Sequence, residues 1–324
     1  MTVAVYSPNG SISVKDYSHR AAWPKMVLDS HKVTDFVLQP EDSLANYEEV
    51  WLYLGMEFNG TLNLFGGASA ENAERLTRLL DAKKVCLLVT DPYPKIPLLG
   101  NIAKERIGKK GVSQEWQDAP WDKLNQLCEK MDLIDQPRHP NLVVGDSHAL
   151  SLYDGQSVIK RWDHKSLHGA LKEGLEKFFP SYSYMWDRAT LCFGNIDMQH
   201  HLVRLGKSAT VELAEKYVQH AALVKAGDVE IMELLPIFPE TRKLATTGYY
   251  KGKPWGGTWV ERHSLRLIFN DVLAERAKDH AHLKLARWPE YIFGQDGEFN
   301  VAYMERPKGP HLSWEHRRQT WPSS

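Results

Sequence analysis

Residues 140–150, Pro-Asn-Leu-Val-Val-Gly-Asp-Ser-His-Ala-Leu, constrain the fold more than any other stretch of this chain. The apolar, β-branched run 142–144 stops at Gly145-Asp146-Ser147-His148, and a helix-compatible segment, 149–153, follows at once. The order is strand, tight turn, helix. A serine there sits at the carboxyl end of a parallel-type strand and the amino end of a helix. Unpaired backbone N–H groups and the positive dipole end favour a developing oxyanion at such a place. The same position suits a helix cap, because Ser and Asp oxygens accept from the first-turn amides. Cap and nucleophile are both open from this stretch alone.

The elements around it decide the fold class. Downstream, 157–162 reads as a second strand, 164–179 contains a helix, and 190–193 is a third strand running into Gly194-Asn195-Ile196-Asp197. A helix over 211–226, a strand over 229–236 and a long helix over 262–280 follow, with 283–286 or 291–293 supplying a last strand. Upstream, 3–6, 33–38 and 49–55 read as strands, and 70–80 carries apolar residues at helical spacing behind a Ser69 cap. The apolar run 84–91 closes on Pro92-Tyr93-Pro94, and 121–131 is an amphipathic helix before the break Gln136-Pro137-Arg138-His139-Pro140. Strands alternating with helices call for parallel sheets with right-handed crossovers. The expectation is an α/β chain: a smaller α/β domain over 1–139, then a three-layer sandwich with a mainly parallel sheet over 140–324.

Composition enters as a set of exclusions. With 324 residues the chain can bury a full core, and 40 basic against 41 acidic residues give no global electrostatic reason for a nucleic-acid or anionic-membrane partner. No apolar run approaches a membrane span, and the amino terminus lacks the pattern of a signal peptide. Cys86, Cys128 and Cys192 are scattered and odd in number, which fits a reducing, cytoplasmic setting with Cys86 and Cys192 as small buried hydrophobes.

In a parallel sheet all strand carboxyl ends lie on one edge, so Ser147, the loop leading to Gly169, and Asn195 with Asp197 can converge. Near the end of the chain, Pro310-His311-Leu312-Ser313 offers an imidazole, whose pKa suits activation of a serine at neutral pH. On Gly145-Asp146-Ser147 after a strand, Gly169, Phe193-Gly194-Asn195-Ile196-Asp197 after the third strand, and His311, the stretch 140–316 resembles the SGNH, or GDSL-like, hydrolases. These are esterases, lipases and carbohydrate acylesterases of flavodoxin-like α/β architecture.

The resemblance implies Ser147 as nucleophile, with its own N–H, the Gly169 N–H and the Asn195 side-chain amide as oxyanion donors, and His311 as the base. Asp146, His148, Asp197 and Trp255 are candidate substrate contacts. Two positions depart from the pattern. Asn195 directly follows Gly194, closer to a Gly-Glu-Ile-Asp variant than to Gly-x-Asn-Asp. Lys308 stands where an Asp three residues before the histidine is usual, which leaves Glu305 as the candidate orienting acid and Asp296 as the other near one. The implied substrate is a small-molecule or carbohydrate ester, and neither a cofactor, a metal nor an oligomeric state is indicated.

Other groups have plainer readings. His200-His201 beside Asp197 do not face one site, and His164 with His168 has metal-like spacing but no third ligand. Trp255, Trp259 and Tyr249-Tyr250, interleaved with Lys251 and Lys253, form either a stacking surface for a sugar or base or a loop packed on itself. Two alternatives from other classes stand beside the hydrolase. One is a nucleotide-sugar glycosyltransferase of two Rossmann-like halves, motivated by Gly66-Gly67, Asp91 and Glu240. The other is a non-catalytic binding protein that keeps the SGNH fold.

Overall fold

The computed structural model describes residues 3–6, 36–38, 41–53, 70–88, 122–123, 126, 130, 140–155, 157–162, 165–179, 186–238, 252, 255–304, 311–313, 316–318 and 321. The chain divides into two compact units, Met1–Arg138 and His139–Ser324. In the first, β1 (Val3–Tyr6), β2 (Phe36–Leu38), β3 (Glu49–Tyr53) and β4 (Lys84–Leu88) form a parallel sheet in the order β2-β1-β3-β4. The crossover between β3 and β4 is α1 (Ala70–Ala82), which buries Ala73 and Leu76 one turn apart, as an amphipathic helix on a sheet must.

The second unit carries β5 (Asn141–Gly145), β6 (Ser157–Arg161), β7 (Trp186–Cys192), β8 (Ala226–Met232) and β9 (Leu283–Ala286), all parallel, in the order β6-β5-β7-β8-β9. The helices are α2 (Leu167–Glu173), α3 (Asn195–His200), α4 (Leu202–Ala221) and α5 (Trp259–Ala277). The strand order is that of a flavodoxin-like doubly wound sheet, in which the chain runs to one side of the first strand and then to the other.

Side-chain alternation sorts the sheet into two faces. Leu142, Val144, Val158, Leu191, Val229, Ile231 and Leu283 point one way and join Leu213, Ala214, Tyr217, Phe269 and Leu273 of α4 and α5 in the core. The opposite face mixes buried apolar residues such as Val143 and Ile159 with a set of paired polar groups. Asp154 receives Asn141 Nδ2 at 3.3 Å and is bonded by Ser157 and Arg188. Glu230 accepts from Thr190 Oγ1 at 2.7 Å and from both terminal nitrogens of Arg318, at 2.6 and 2.9 Å. Charges leave water at low cost only when paired, and this face is covered by the 3-10 segment Ser147–Leu152 and by the carboxyl-terminal tail that delivers Arg318. The unit is thus a sheet between two layers, as the alternating pattern requires.

Several boundaries differ from the sequence-based expectation. Residues 147–152 form a 3-10 rather than an α-helix, because the Asp146 side chain takes the His148 amide and the Ala149 amide closes back on the Asp146 carbonyl at 3.1 Å. The helix expected from 211 begins at Leu202, with a break at Gly206 (φ 84°) that mimics a terminus in the sequence. β7 begins at Trp186, because Arg188 belongs to the polar set and hides the strand's apolar signal. β8 ends at Met232; the Glu233 amide makes a last bond to the Ala286 carbonyl at 2.9 Å, and 234–236 leave the ladder. α5 begins at Trp259 behind a Thr258/Glu261 capping box, and 283–286 rather than 291–293 is the last strand. In the stretch 121–131 only four positions are described, all helical.

Candidate active site

The strand order reverses at β5, whose neighbours are β6 on one side and β7 on the other. At such a reversal the loops leaving two adjacent strands diverge to opposite faces and open a crevice at the carboxyl edge. Ser147 follows β5 and Asn195 follows β7, so both stand at the carboxyl edge of the sheet at this reversal. The strand ends are stitched together: Asp146 N–H donates to the Cys192 carbonyl at 2.9 Å, and Trp162 N–H donates to the Gly145 carbonyl at 2.8 Å. Gly145 is required by this closeness, since a Cβ there would stand 2.2 Å from the Cys192 carbonyl oxygen. Gly194 is required twice over, by its φ of 107° and by Leu234, whose Cδ2 would lie 2.8 Å from an added Cβ.

Asp146 is the hub. It is 0 % exposed, and its Oδ1 accepts from the His148 amide and stands 2.9 Å from His148 Nδ1, while its Oδ2 accepts from Asn195 Nδ2 at 3.3 Å. Asn195 Oδ1 in turn accepts from the Leu235 amide at 3.0 Å. One carboxylate and one amide therefore tie together the ends of β5, β7 and β8. The cap of the turn is Asp146, which leaves Ser147 out of that role. Ser147 is half-buried, and its hydroxyl makes no hydrogen bond among the described residues.

The tail brings its histidine to the same place. The His311 ring lies 5.1 Å from the His148 ring, centre to centre, at an interplanar angle of 49°. Since His148 is the neighbour of Ser147, the imidazole and the hydroxyl share one edge of the sheet. The Met304 and Leu312 bridge and the bond from Ser313 N–H to the Tyr303 carbonyl at 2.7 Å hold this part of the tail. Of the residues singled out in the sequence, Asp146, His148, Asn195 and His311 are linked by contacts here, and Ser147 lies between Asp146 and His148 in the chain.

Others have different partners. Gly169 N–H donates to Ser166 Oγ at 3.1 Å as part of the α2 cap, so the expected oxyanion donor is occupied where it stands. Asp197, expected as a substrate contact, is 1 % exposed and accepts from the Leu167 amide at 2.6 Å and the His168 amide at 3.2 Å. It joins α3 to the start of α2. Burial pushes its carboxyl up to about 6, against the pull of those two amides, with the Asp146 charge adding a smaller push the same way. Trp255 packs against Phe238 at 5.8 Å and under the Arg262 guanidinium at 5.0 Å. Glu305, Lys308, His164, Gly66, Gly67, Asp91, Glu240, Tyr249 and Tyr250 lie outside the described residues.

Cys192 is no rival nucleophile. Burial raises its thiol well above the usual value and the Asp146 charge adds to this, so the reactive thiolate is disfavoured. Among the described residues no group of three or more His, Cys, Asp or Glu side chains could hold a metal ion. No described helix is long and apolar enough to cross a membrane.

Two features of this unit escaped the sequence reading. The Asp146 to His148 bond has a local signal, an Asp-x-His spacing directly after a strand, where a side chain two residues on can fold back to the cap. Arg262, 0 % exposed with its Nη1 on the carbonyls of Gly256 (3.0 Å) and Gly257 (2.7 Å), has none. Its position in α5 reads as an ordinary exposed arginine, and only the packing buries it.

No family model matches the chain, and no curated protein matches it. A solved structure from Streptococcus pneumoniae, provisionally described as a platelet activating factor, is similar over 69 % of this chain and 92 % of that one, with a TM-score of 0.41 and 15 % identity. At that score the likeness decides neither fold nor function.

Proposed function

We propose that the second unit is a serine acyl hydrolase, or an acyltransferase of the same chemistry, acting on an ester of a carbohydrate or another polar molecule. The observation that carries this reading is the His311 imidazole lying against His148, next to Ser147, at the strand-order reversal of a parallel sheet. Ser147 Oγ attacks the acyl carbon while its proton passes to His311. The tetrahedral adduct expels the alcohol, which takes that proton. Water, or an acceptor hydroxyl, then attacks the acyl-serine, gives its proton to His311, and the proton returns to Ser147 as the acid or new ester leaves.

Charge on the adduct needs donors already in place. The Ser147 amide is one, and Asn195 Nδ2 has a second hydrogen beyond the one given to Asp146. Donors of this kind are each worth about 3 kcal/mol in other hydrolases. The buried free Cys192 fits a reducing, cytoplasmic setting.

The test is turnover of p-nitrophenyl acetate by the full chain and by Ser147→Ala. A loss of at least about 1,000-fold is expected. Equal turnover by the two removes Ser147 from the mechanism. A non-catalytic binding module is favoured by the engagement of the Gly169 and Asn195 groups in structural bonds. That reading expects no turnover by the wild-type chain and calorimetric binding of a glycan.

A further inference from the structure

The peptide unit that joins Leu234 to Leu235, just beyond β8, is held at both of its polar ends. Its carbonyl accepts from Arg266 Nε at 2.9 Å, and its N–H donates to Asn195 Oδ1 at 3.0 Å. Asn195 Nδ2 then donates to Asp146 Oδ2 at 3.3 Å. A relay of hydrogen bonds therefore runs from a guanidinium on α5, through one backbone peptide and one side-chain amide, to the carboxylate that precedes Ser147 in the chain. An N–H at one end of Asn195 and a carboxylate at the other leave its amide a single orientation. One turn along α5 from Arg266, Asn270 Oδ1 accepts from the Leu234 amide at 2.9 Å and pins the same residue from its other side. Arg266 itself is 4 % exposed. Burial lowers its pKa against the pull of Glu233, whose Oε2 lies 3.9 Å from Nη2, yet a guanidinium keeps its charge.

Resting on the reading of Ser147 as nucleophile and Asn195 as oxyanion donor, we propose that Arg266 is a positioning residue for the Asn195 amide, which it orients and polarises through the 234–235 peptide. A cation on a peptide carbonyl draws electron density toward itself and makes the N–H of that unit a stronger donor. The amide that accepts this N–H becomes a stronger donor in turn. The contact with Asp146 works in the opposite sense, since an NH₂ group that gives one hydrogen to an anion is a poorer donor of the other. Arg266 offsets that loss and leaves the second Nδ2 hydrogen strong enough to serve the charge that develops on the adduct. Arginine suits this task because its Nε–H has a fixed direction and its charge survives burial, whereas the ammonium of a lysine has neither property.

A double-mutant cycle with p-nitrophenyl acetate, normalised to folded protein, is the test. Arg266→Met is expected to lower kcat about 20-fold with KM within about twofold, because the donor counts only once charge appears on the adduct. Asn195→Ala should lower kcat about 300-fold. Beside Asn195→Ala, Arg266→Met should then cost less than about threefold, since no amide is left for it to act through. A purely structural arginine would instead lower the folded fraction and leave kcat alone, or cost the same factor in both backgrounds. Should Arg266→Met not fold, Arg266→Lys takes its place in the cycle, with an expected loss of about fivefold that also vanishes beside Asn195→Ala. Unchanged kcat in the Arg266 variant, no loss in Asn195→Ala, or equal factors in the two backgrounds overturns the positioning role. With Ser147→Ala inactive in the same assay, each of those results leaves the hydrolase standing. Turnover that Ser147→Ala does not reduce strikes the hydrolase reading itself, and the role of Arg266 falls with it.

Discussion

Asp197 offers a direct test of how the site is built, because two opposed effects act on one carboxyl group. Burial raises its pKa from 3.8 to about 6, although the Leu167 and His168 amides donate to it. The folded chain therefore holds a proton on Asp197 more tightly than the unfolded chain does. For such a group the stabilising contribution is complete below pH 3.8 and is lost as pH rises through about 6. The difference of about 2.2 in pKa corresponds to about 3 kcal/mol of stability withdrawn at neutral pH.

Asp197→Asn cannot ionise and escapes this loss, though its NH₂ group faces one of the two amides, a fixed cost of about 1–2 kcal/mol. The stability of the wild type minus that of Asp197→Asn should therefore fall by about 2.5 kcal/mol between about pH 4 and pH 8, with most of the change below about pH 6. Urea unfolding of both proteins at a series of pH values reads this difference. A difference that is flat means that the amide donors match burial, and one that grows with pH means that they outweigh it. The account of Asp197 as a desolvated clamp is then wrong.

Two further predictions concern the scaffold. Gly145→Ala drives a Cβ to 2.2 Å from the Cys192 carbonyl oxygen. It should cost about 1–3 kcal/mol in urea unfolding through displacement of β5 from β7, and a loss under about 0.5 kcal/mol contradicts the close approach. Arg318→Ala leaves Glu230, whose carboxyl is held below its usual range by Arg318, Thr190 and Arg188 against the opposing effect of burial, without its bidentate partner. Both groups are partly exposed and Arg188 remains 3.7 Å away, so the expected cost at neutral pH is about 1–3 kcal/mol. The lowered pKa makes that contribution present above 4.5 and lost as pH falls through the folded value, so the two proteins should converge in acid. A gap that widens in acid refutes the assignment.

The sequence by itself determined the strand-helix alternation and the parallel sheets, and it marked Ser147, Asn195 and His311 as candidate residues at strand ends and in the tail. Apolar runs such as 142–144 and the glycines at 145 and 194 are local signals, because strand burial and close backbone approach restrict residue type where they occur. Tertiary structure alone decided which polar groups face the crevice. Asp197 and Gly169 sit at the expected sequence positions, yet their hydrogen bonds run to α2, and spacing along the chain carries no information about that direction. The seat of His311 against a histidine 163 positions earlier depends on the path of the tail, which also delivers Arg318 to Glu230. Long-range pairing of this kind is set by packing and by contacts such as Arg318 on the half-buried Glu230, neither of which any short window of sequence records.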